Sequence, residues 1–526
     1  MGIAKINNLT ELILLAAKSN MYREALWAMD ESLNYKELLA RAGKLSNTII
    51  LTGVKKGDRV GILFERSCGI YIAILASLFC GAVYVPLNPR FPNLRNKNIL
   101  KRSGASVLIV DESNLSLALD ISKSSDFEGS IILPESDCKE FNKELVISKS
   151  EVEKNSSKIC PPKINAEDNA YLLFTSGSTG EPKGVPITHG NLCEYIGGIK
   201  LLNKVTPKDR IAQIVSVTFD LSAHDMFLAW TSGAALYSLP ENVGALAGRF
   251  VDEFEITCWL SVPSTAALMK QAGILKKSSM PSLRLSFFCG EALSDCIAQT
   301  WSEAAPNSSL VNLYGPTEAT IAISYFPYDP NKIDRPSILP LGKPIGDQRM
   351  AVINLNGEFL PKGALGELHL SGTQLSKGYW DNQKITEERF VQYGDTRWYR
   401  TGDLAREISN GEFVYAGRSD HQVKIMGYRV ELLEIEAVLR EQFKTNLVAV
   451  IALPKNELGN ITGCVAFVVS KKIDSRNLDF CLRKKLPFYM IPQRIALLEK
   501  MPLNNNGKID YAALQKIEWM QLAKDF

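Results

Sequence analysis

The sequence predicts an α/β protein: a large N-terminal domain of layered α/β subdomains ending in a barrel-like β region, then a small α+β domain. Short β-branched runs such as "RVGILF", "SVLIVD" and "GSIILP" alternate with helix-patterned stretches such as "ESLNYKELLARAGKLSNTI", the pattern of strands and helices in stacked layers. From about residue 350, "RMAVINLNGEFL" and "GELHLSG" are separated by Gly and Asn turns, as in an antiparallel, barrel-like region. The last hundred residues read strand, helix, strand, helix through "QVKIMGYRV", "ELLEIEAVLREQF", "LVAVIAL", "CVAFVVS" and "NLDFCLRKKL", the size of a small independent domain. This places domains at 1–419 and 420–526, with the boundary at Asp420.

A chain of 526 residues is too long for one core, and 46% hydrophobic with 22% charged residues is an ordinary globular composition. Sixty basic against 57 acidic residues leave a net charge of +3, which points away from nucleic acid and from an acidic membrane surface. "MGIAKINNLTELILLAAKSN" spaces its Leu and Ile residues as a surface helix and lacks the pattern of a signal peptide. "GIYIAILASLFCGAVYVPL", residues 69–87, is uncharged and long enough to cross a bilayer. Gly81 and Pro86 interrupt it, and its second half is β-branched and aromatic, so a buried helix followed by a core strand is expected. The polar, Ser/Lys-rich stretch from 120 to 165 reads as surface loops. Ten cysteines without a CxxC pair read as reduced, buried thiols of a cytoplasmic protein, and the four histidines lack zinc-site spacing, so no bound transition metal is expected.

"LLFTSGSTGEPKGVPITHGN", Leu172 to Asn191, sets an apolar strand before a Ser/Thr/Gly turn with one lysine. Backbone N–H groups uncrowded by side chains, hydroxyls and the Lys183 ammonium can together wrap a polyphosphate. The GxxxxGK[ST] pattern is absent, and Pro182 and Pro186 would break the helix a Walker loop requires.

This loop resembles the phosphate loop of the adenylate-forming superfamily, which includes acyl-CoA synthetases, luciferases and amino-acid adenylation enzymes. Further motifs stand in that family's order over nearly the whole chain: "LNYKEL", "GAVYVPLNP", "FDLSAHDMF", "YGPTEAT", "GELHLSG", "YRTGDLA", "GRSDHQVKIMGYRVELLEIE" and "NNGKID". The resemblance implies a large domain with a mobile C-terminal lid. It also implies ATP and Mg²⁺, and attack of a carboxylate on the α-phosphate to give an acyl-adenylate and pyrophosphate.

By resemblance, Thr175, Ser176, Gly177, Ser178, Thr179 and Lys183 hold the β- and γ-phosphates, Thr317 contacts the α-phosphate and Glu318 ligates Mg²⁺. Tyr314 offers a face to adenine, Asn312 a partner to its exocyclic amine, and the backbone of Gly290, Glu291 and Ala292 the opposite wall. Asp403 accepts the ribose hydroxyls, with Arg418 beside it. Lys508 reaches the substrate carboxylate and the α-phosphate, where charge builds up. In the second half-reaction the lid turns about Asp420, and Lys424 with Gly427 faces the site instead.

Asp220, directly after Phe219, resembles the residue with which the amino-acid-activating branch pairs the substrate ammonium; capping of the following helix is the competing local reading. The remaining pocket positions are Leu221, His224, Ser261, Phe287, Cys289, Leu313, Ile321 and Ala322, mostly apolar, with Phe287 and Cys289 shortening the pocket. "FDLS", "FFCGEAL" and "YGPTEATIAI" most resemble D-alanyl carrier protein ligases and also fit adenylation domains of nonribosomal peptide synthesis; His224 departs from the former, where methionine is expected. The implied substrate is a small amino acid, with glycine, alanine, serine and proline unresolved. No "LGGDS"-like segment follows Asp510, so the expected acceptor is the phosphopantetheine thiol of a separate carrier protein, loaded by a monomeric enzyme. An acyl-CoA ligase for an acid without an amino group, and an inactive nucleotide-binding scaffold, are the alternatives; Asp220 opposes the first, and intact Lys508, Glu318 and Asp403 oppose the second.

Overall fold

The computed structural model describes residues 8–137, 146–177, 182–240, 246–332, 335–420, 422–454, 461–470, 475–503, 509–517 and 523–525. The chain divides into two compact units. The first comprises the described parts of Met1–Pro89, Leu100–Leu173 and Gly184–Ser419, and the second those of Arg90–Ile99, Phe174–Lys183 and Asp420–Phe526.

Two sheets dominate the first unit. A nine-stranded sheet has a parallel centre, Glu24–Ala28, Ala235–Ser238, Arg210–Gln213, Cys258–Ser261, Leu285–Phe288 and Ser309–Tyr314, with antiparallel strands at both margins. A seven-stranded sheet is ordered Val146–Ile147, Ser130–Ile132, Ala105–Val110, Arg59–Leu63, Val83–Leu87, Asn169–Thr175, Lys183–Thr188. The apolar run flagged in the sequence is the helix Cys68–Phe79, every residue of which is buried, followed by the buried strand Val83–Leu87. A helix that is apolar on all sides must be surrounded, and its side chains join those of both sheets in one core. Among the described residues no helix is long and apolar enough to cross a membrane. The sequence from 349 onward forms a five-stranded antiparallel sheet built on the long strand Thr396–Glu407.

The polar stretch near 120–165 carries more regular structure than loops, including the helix Lys149–Glu153 opened by a Ser148/Glu151 capping box. Cys160 and Cys296 are exposed and Cys481 is half-buried, so the expected burial of the cysteines fails there; Cys138 lies outside the described residues. Cys160 stands in the polar coil after that helix, and Cys296 in the first turn of the helix Asp295–Ala304, on its outer side.

Within the second unit, Gln422–Ile425 and Tyr428–Glu431 make a hairpin joined by Met426 and Gly427, both at positive φ (50° and 83°). A two-residue hairpin turn of this kind requires that backbone, and Gly427 supplies half of it without strain. A four-stranded sheet, Val448–Ile451, Val465–Val469, Arg494–Leu498 and Ala523–Asp525, carries its own core around Ala449, Phe467, Ala496 and Met501.

Candidate active site

The site of the first unit stands at the carboxyl ends of the parallel strands, the edge at which open α/β sheets bind ligands. Asn312 and Tyr314 end the strand Ser309–Tyr314. Asn312 is buried; its Nδ2 donates to the carbonyl of Pro340 at 2.8 Å, and its Oδ1 has no partner among the described residues. A proline carbonyl only accepts, so the amide orientation is fixed and an acceptor is left over. The Tyr314 hydroxyl donates to Asp403 Oδ2 at 2.5 Å, while Arg418 reaches Asp403 Oδ1 across the paired strands at 2.5 Å. Burial and the Asp403 carboxylate push the Tyr314 phenol well up, so it stays a donor.

Gly402, at φ 75°, turns the chain into Asp403, whose N–H donates to Thr401 Oγ1 at 2.9 Å. The Gly402 N–H donates to Glu367 Oε1 at 3.1 Å, and Arg400 donates to Glu367 Oε2 at 3.0 Å. Burial alone would raise the Glu367 pKa; hydrogen bonding with His369 and Arg400 and the Arg400 charge outweigh it and hold the carboxyl at about 2. A carboxyl depressed from 4.5 stabilises the fold fully above that value and loses this contribution as pH falls towards 2. Wild type therefore melts above Glu367→Gln at neutral pH, and the gap between their unfolding midpoints closes between about pH 4.5 and pH 2. A gap independent of pH would refute the role of that charge.

After Tyr314 the chain doubles back through Gly315 and the turn Thr317–Ala319. A Cβ on Gly315 would stand 2.6 Å from Ala322 Cα, so glycine is the residue that lets the two arms close. Thr320 and Ile321 have φ of 58° and 70°, a conformation costing a β-branched residue roughly 1–3 kcal/mol. Gln374 holds it, donating to the Ala322 carbonyl at 2.8 Å and accepting from Thr320 Oγ1 at its own carbonyl at 2.5 Å. Glu318 is buried in this turn and accepts the Tyr379 hydroxyl at 2.6 Å.

Asp220 precedes the helix Leu221–Ser232, and its side chain makes no capping hydrogen bond, so the capping reading is not realised. Three buried phenols, Tyr84, Tyr171 and Tyr195, lie in the field of its carboxylate, which adds to burial in pushing them up. The Tyr171 hydroxyl has no partner among the described residues. His224, one helical turn beyond Asp220, meets the Tyr195 hydroxyl through Nδ1 at 2.7 Å and the Phe287 ring edge-on at 5.1 Å between centroids. Burial lowers the His224 pKa to about 3, so the ring is neutral. Cys289, whose N–H donates to the Ser261 carbonyl at 3.2 Å, adds to the field at Tyr195. Gly290, at φ 96°, lies against Val262 and Leu221: a Cβ there would be 3.1 Å and 3.7 Å from their side chains. Leu313, Ile321 and Ala322 are buried in the same core as His224's neighbours.

The Glu291 carboxylate accepts the Ser264 N–H at 2.8 Å, at the start of the helix Pro263–Gln271; beside Ala292, its side chain thus has a structural task of its own. The loop leading to Asp220 is fixed from below. Arg66 donates to the carbonyls of Gln213, Ile214 and Leu239, and Tyr71 donates to Gln213 Oε1 at 2.5 Å. Tyr195, Arg66, Tyr71 and Glu367 escaped sequence reading, since each sits far in sequence from the residue it holds.

The second unit contains the described part of the Ser/Thr/Gly-rich stretch Phe174–Lys183. Ser176 Oγ donates to the Arg429 carbonyl at 2.7 Å, and Lys183, buried, stands 3.9 Å from the Glu431 carboxylate. Arg95 and Glu434 form a buried ion pair at 3.0 Å. Thr175 ends its strand, and Gly177 follows it in the loop. Lys424 pairs with Arg429 in the hairpin, and Asp420 Oδ1 accepts the Gln422 N–H at 3.3 Å. Ser178, Thr179 and Lys508 lie outside the described residues.

The chain belongs to the AMP-binding enzyme family, whose model matches residues 15–380, and the model of the AMP-binding enzyme C-terminal domain matches residues 434–508. Within the adenylate-forming superfamily it is a homologue of adenylation domains. Tyrocidine synthase 3 of Brevibacillus parabrevis is 33% identical over 496 residues, covering 93% of this chain and 7% of that protein. Bacitracin synthase 1 of Bacillus licheniformis is 33% identical over 513 residues, 97% of this chain and 9% of its own length. The chain thus spans less than a tenth of these relatives. Among solved structures, the Vibrio cholerae adenylation domain AlmE, in complex with glycyl-adenosine-5'-phosphate, matches with a TM-score of 0.89 at 34% identity over 98% of both chains. IdnL7 matches with a TM-score of 0.71 at 31% identity, over 97% of this chain and 98% of that one.

Proposed function

We propose that this chain activates a small amino acid with ATP, forming the aminoacyl-adenylate and pyrophosphate. It then passes the aminoacyl group to the phosphopantetheine thiol of a separate carrier protein. The observation that carries this reading is Asp220. It heads a buried helix without capping it, among buried phenols, with a short wall of His224, Phe287 and Cys289 beyond it. A carboxylate in such surroundings suits an ammonium group, and the wall suits a side chain of hydrogen or methyl size. The glycyl group in the AlmE complex, at 34% identity, agrees with that size.

The unpartnered Asn312 Oδ1 fits the exocyclic amine of adenine, which only donates, and the Tyr314 ring would lie against the base. Asp403, held by Tyr314 and Arg418, would orient the ribose with its remaining lone pairs. Thr317 would meet the α-phosphate, and Thr175, Ser176, Gly177, Ser178, Thr179 and Lys183 the outer phosphates. Glu318 is an oxygen donor of the kind Mg²⁺ prefers; the ion, when bound, neutralises phosphate charge. Lys508 would supply the cation at the reacting carboxylate, and Lys424 would take part in thiol transfer.

ATP–pyrophosphate exchange with the twenty amino acids, their D-forms and several fatty acids tests the reading. Exchange is expected with one or a few small amino acids, and exchange driven by fatty acids alone would replace it with an acyl ligase. As the implied hinge, Asp420 predicts a second result. Asp420→Pro should slow loading of the holo carrier by roughly tenfold or more while changing exchange little, because proline removes the backbone freedom a hinge uses. Equal losses in both half-reactions would contradict the hinge.

A further inference from the structure

We propose that Tyr195 is the positioning residue of the amino-acid pocket. Its hydroxyl pins the His224 ring in place as the end wall, and this restraint excludes side chains larger than methyl. The inference rests on the reading of Asp220 as the ammonium partner and extends it to a residue on a different helix.

Tyr195 lies in the helix His189–Leu202 and is fully buried, so its hydroxyl must find a partner inside the protein. That partner is His224 Nδ1 at 2.7 Å. A phenol is a better proton donor than a neutral imidazole, so Tyr195 donates and the ring keeps its proton on Nε2. Asp220 has helical backbone angles, φ −63° and ψ −26°, so His224 stands four residues on along the same face. Helical Cα–Cβ bonds tilt towards the N-terminus, which leans the imidazole back towards Asp220. An amino acid with its ammonium at Asp220 therefore directs its side chain at this ring. Phe287 meets the ring edge-on at 5.1 Å and closes one side. An imidazole free about its last torsion could swing aside for a longer substrate; the hydrogen bond to Nδ1 selects one setting of that torsion.

The experiment is ATP–pyrophosphate exchange by the full chain with glycine, alanine and 2-aminobutyrate, read as the ratio of kcat/KM for alanine over 2-aminobutyrate. One methylene in an apolar pocket is worth on the order of 10- to 200-fold, and Tyr195→Phe, which removes only the hydroxyl, is expected to cut the wild-type ratio about tenfold. His224→Leu fills a similar volume without an acceptor and should cut it equally. The double variant should lose no more than either single one, because the two residues act as a unit. If Tyr195→Phe fails to fold, His224→Leu asks the same question from the other partner. A ratio within twofold of wild type in either folded variant, or additive losses in the double, would overturn the inference. A wild type that activates no amino acid would instead overturn the reading of Asp220 on which it rests.

Discussion

Asp220→Ala should lower kcat/KM for the amino acid by roughly two to four orders of magnitude while leaving ATP binding near wild type. Removing one partner of a buried ion pair costs about 3–5 kcal/mol, because the other charge is left without compensation. Here the uncompensated charge would be the substrate's ammonium, so the loss falls on the amino acid. The carboxylate makes no capping bond to the helix it precedes. Exchange kinetics with each substrate varied in turn separate the two effects. A loss shared equally by ATP and amino acid would mean that Asp220 holds the loop rather than the substrate. Arg66 and Tyr71 already perform that task from the other side, through the carbonyls and amide at the end of the strand Arg210–Gln213.

Lys508→Ala should reduce the rate of adenylate formation by on the order of 10²- to 10³-fold, the usual effect of removing one donor aimed at developing negative charge. Nucleotide affinity should persist, because the adenine and ribose partners proposed here, Asn312, Tyr314 and Asp403, are separate residues. Wild-type exchange in Lys508→Ala, or loss of nucleotide binding in parallel with exchange, would remove it from that role.

The elements nearest to local physics were legible in the sequence. The helix and strand between Cys68 and Leu87 follow from an apolar run interrupted by Gly81, and the absence of a Walker helix follows from Pro186, which stands in the strand Lys183–Thr188. The antiparallel sheet after residue 349 and the α+β order of the last hundred residues were likewise carried by turn residues and β-branched runs. Asp220, Asn312 and Asp403 were singled out by resemblance, and the motif order pointed to the family.

What the sequence hid was the set of tertiary partners. Tyr195 shares no motif with His224, twenty-nine residues away. Nothing local distinguishes Glu367 as the acceptor for Gly402, thirty-five residues on, or Arg66 as the clamp on a strand end nearly 150 residues later. Such residues are specified by proximity in the folded core, and one-dimensional patterns of hydrophobicity or charge carry no record of it. The use of Glu291 at a helix start was hidden for the same reason, since Ser264 comes from a different strand–helix junction.

The most direct measurement is a comparison of exchange driven by alanine with exchange driven by propionate, and by glycine with acetate, in the wild-type protein. The two members of each pair differ only in the amino group that Asp220 is assigned to hold. The expected result is exchange with at least one of the amino acids and none above background with either desamino acid at the same concentration. Propionate or acetate supporting exchange as well as its amino counterpart would contradict the claim that the Asp220 carboxylate selects an amine-bearing acid.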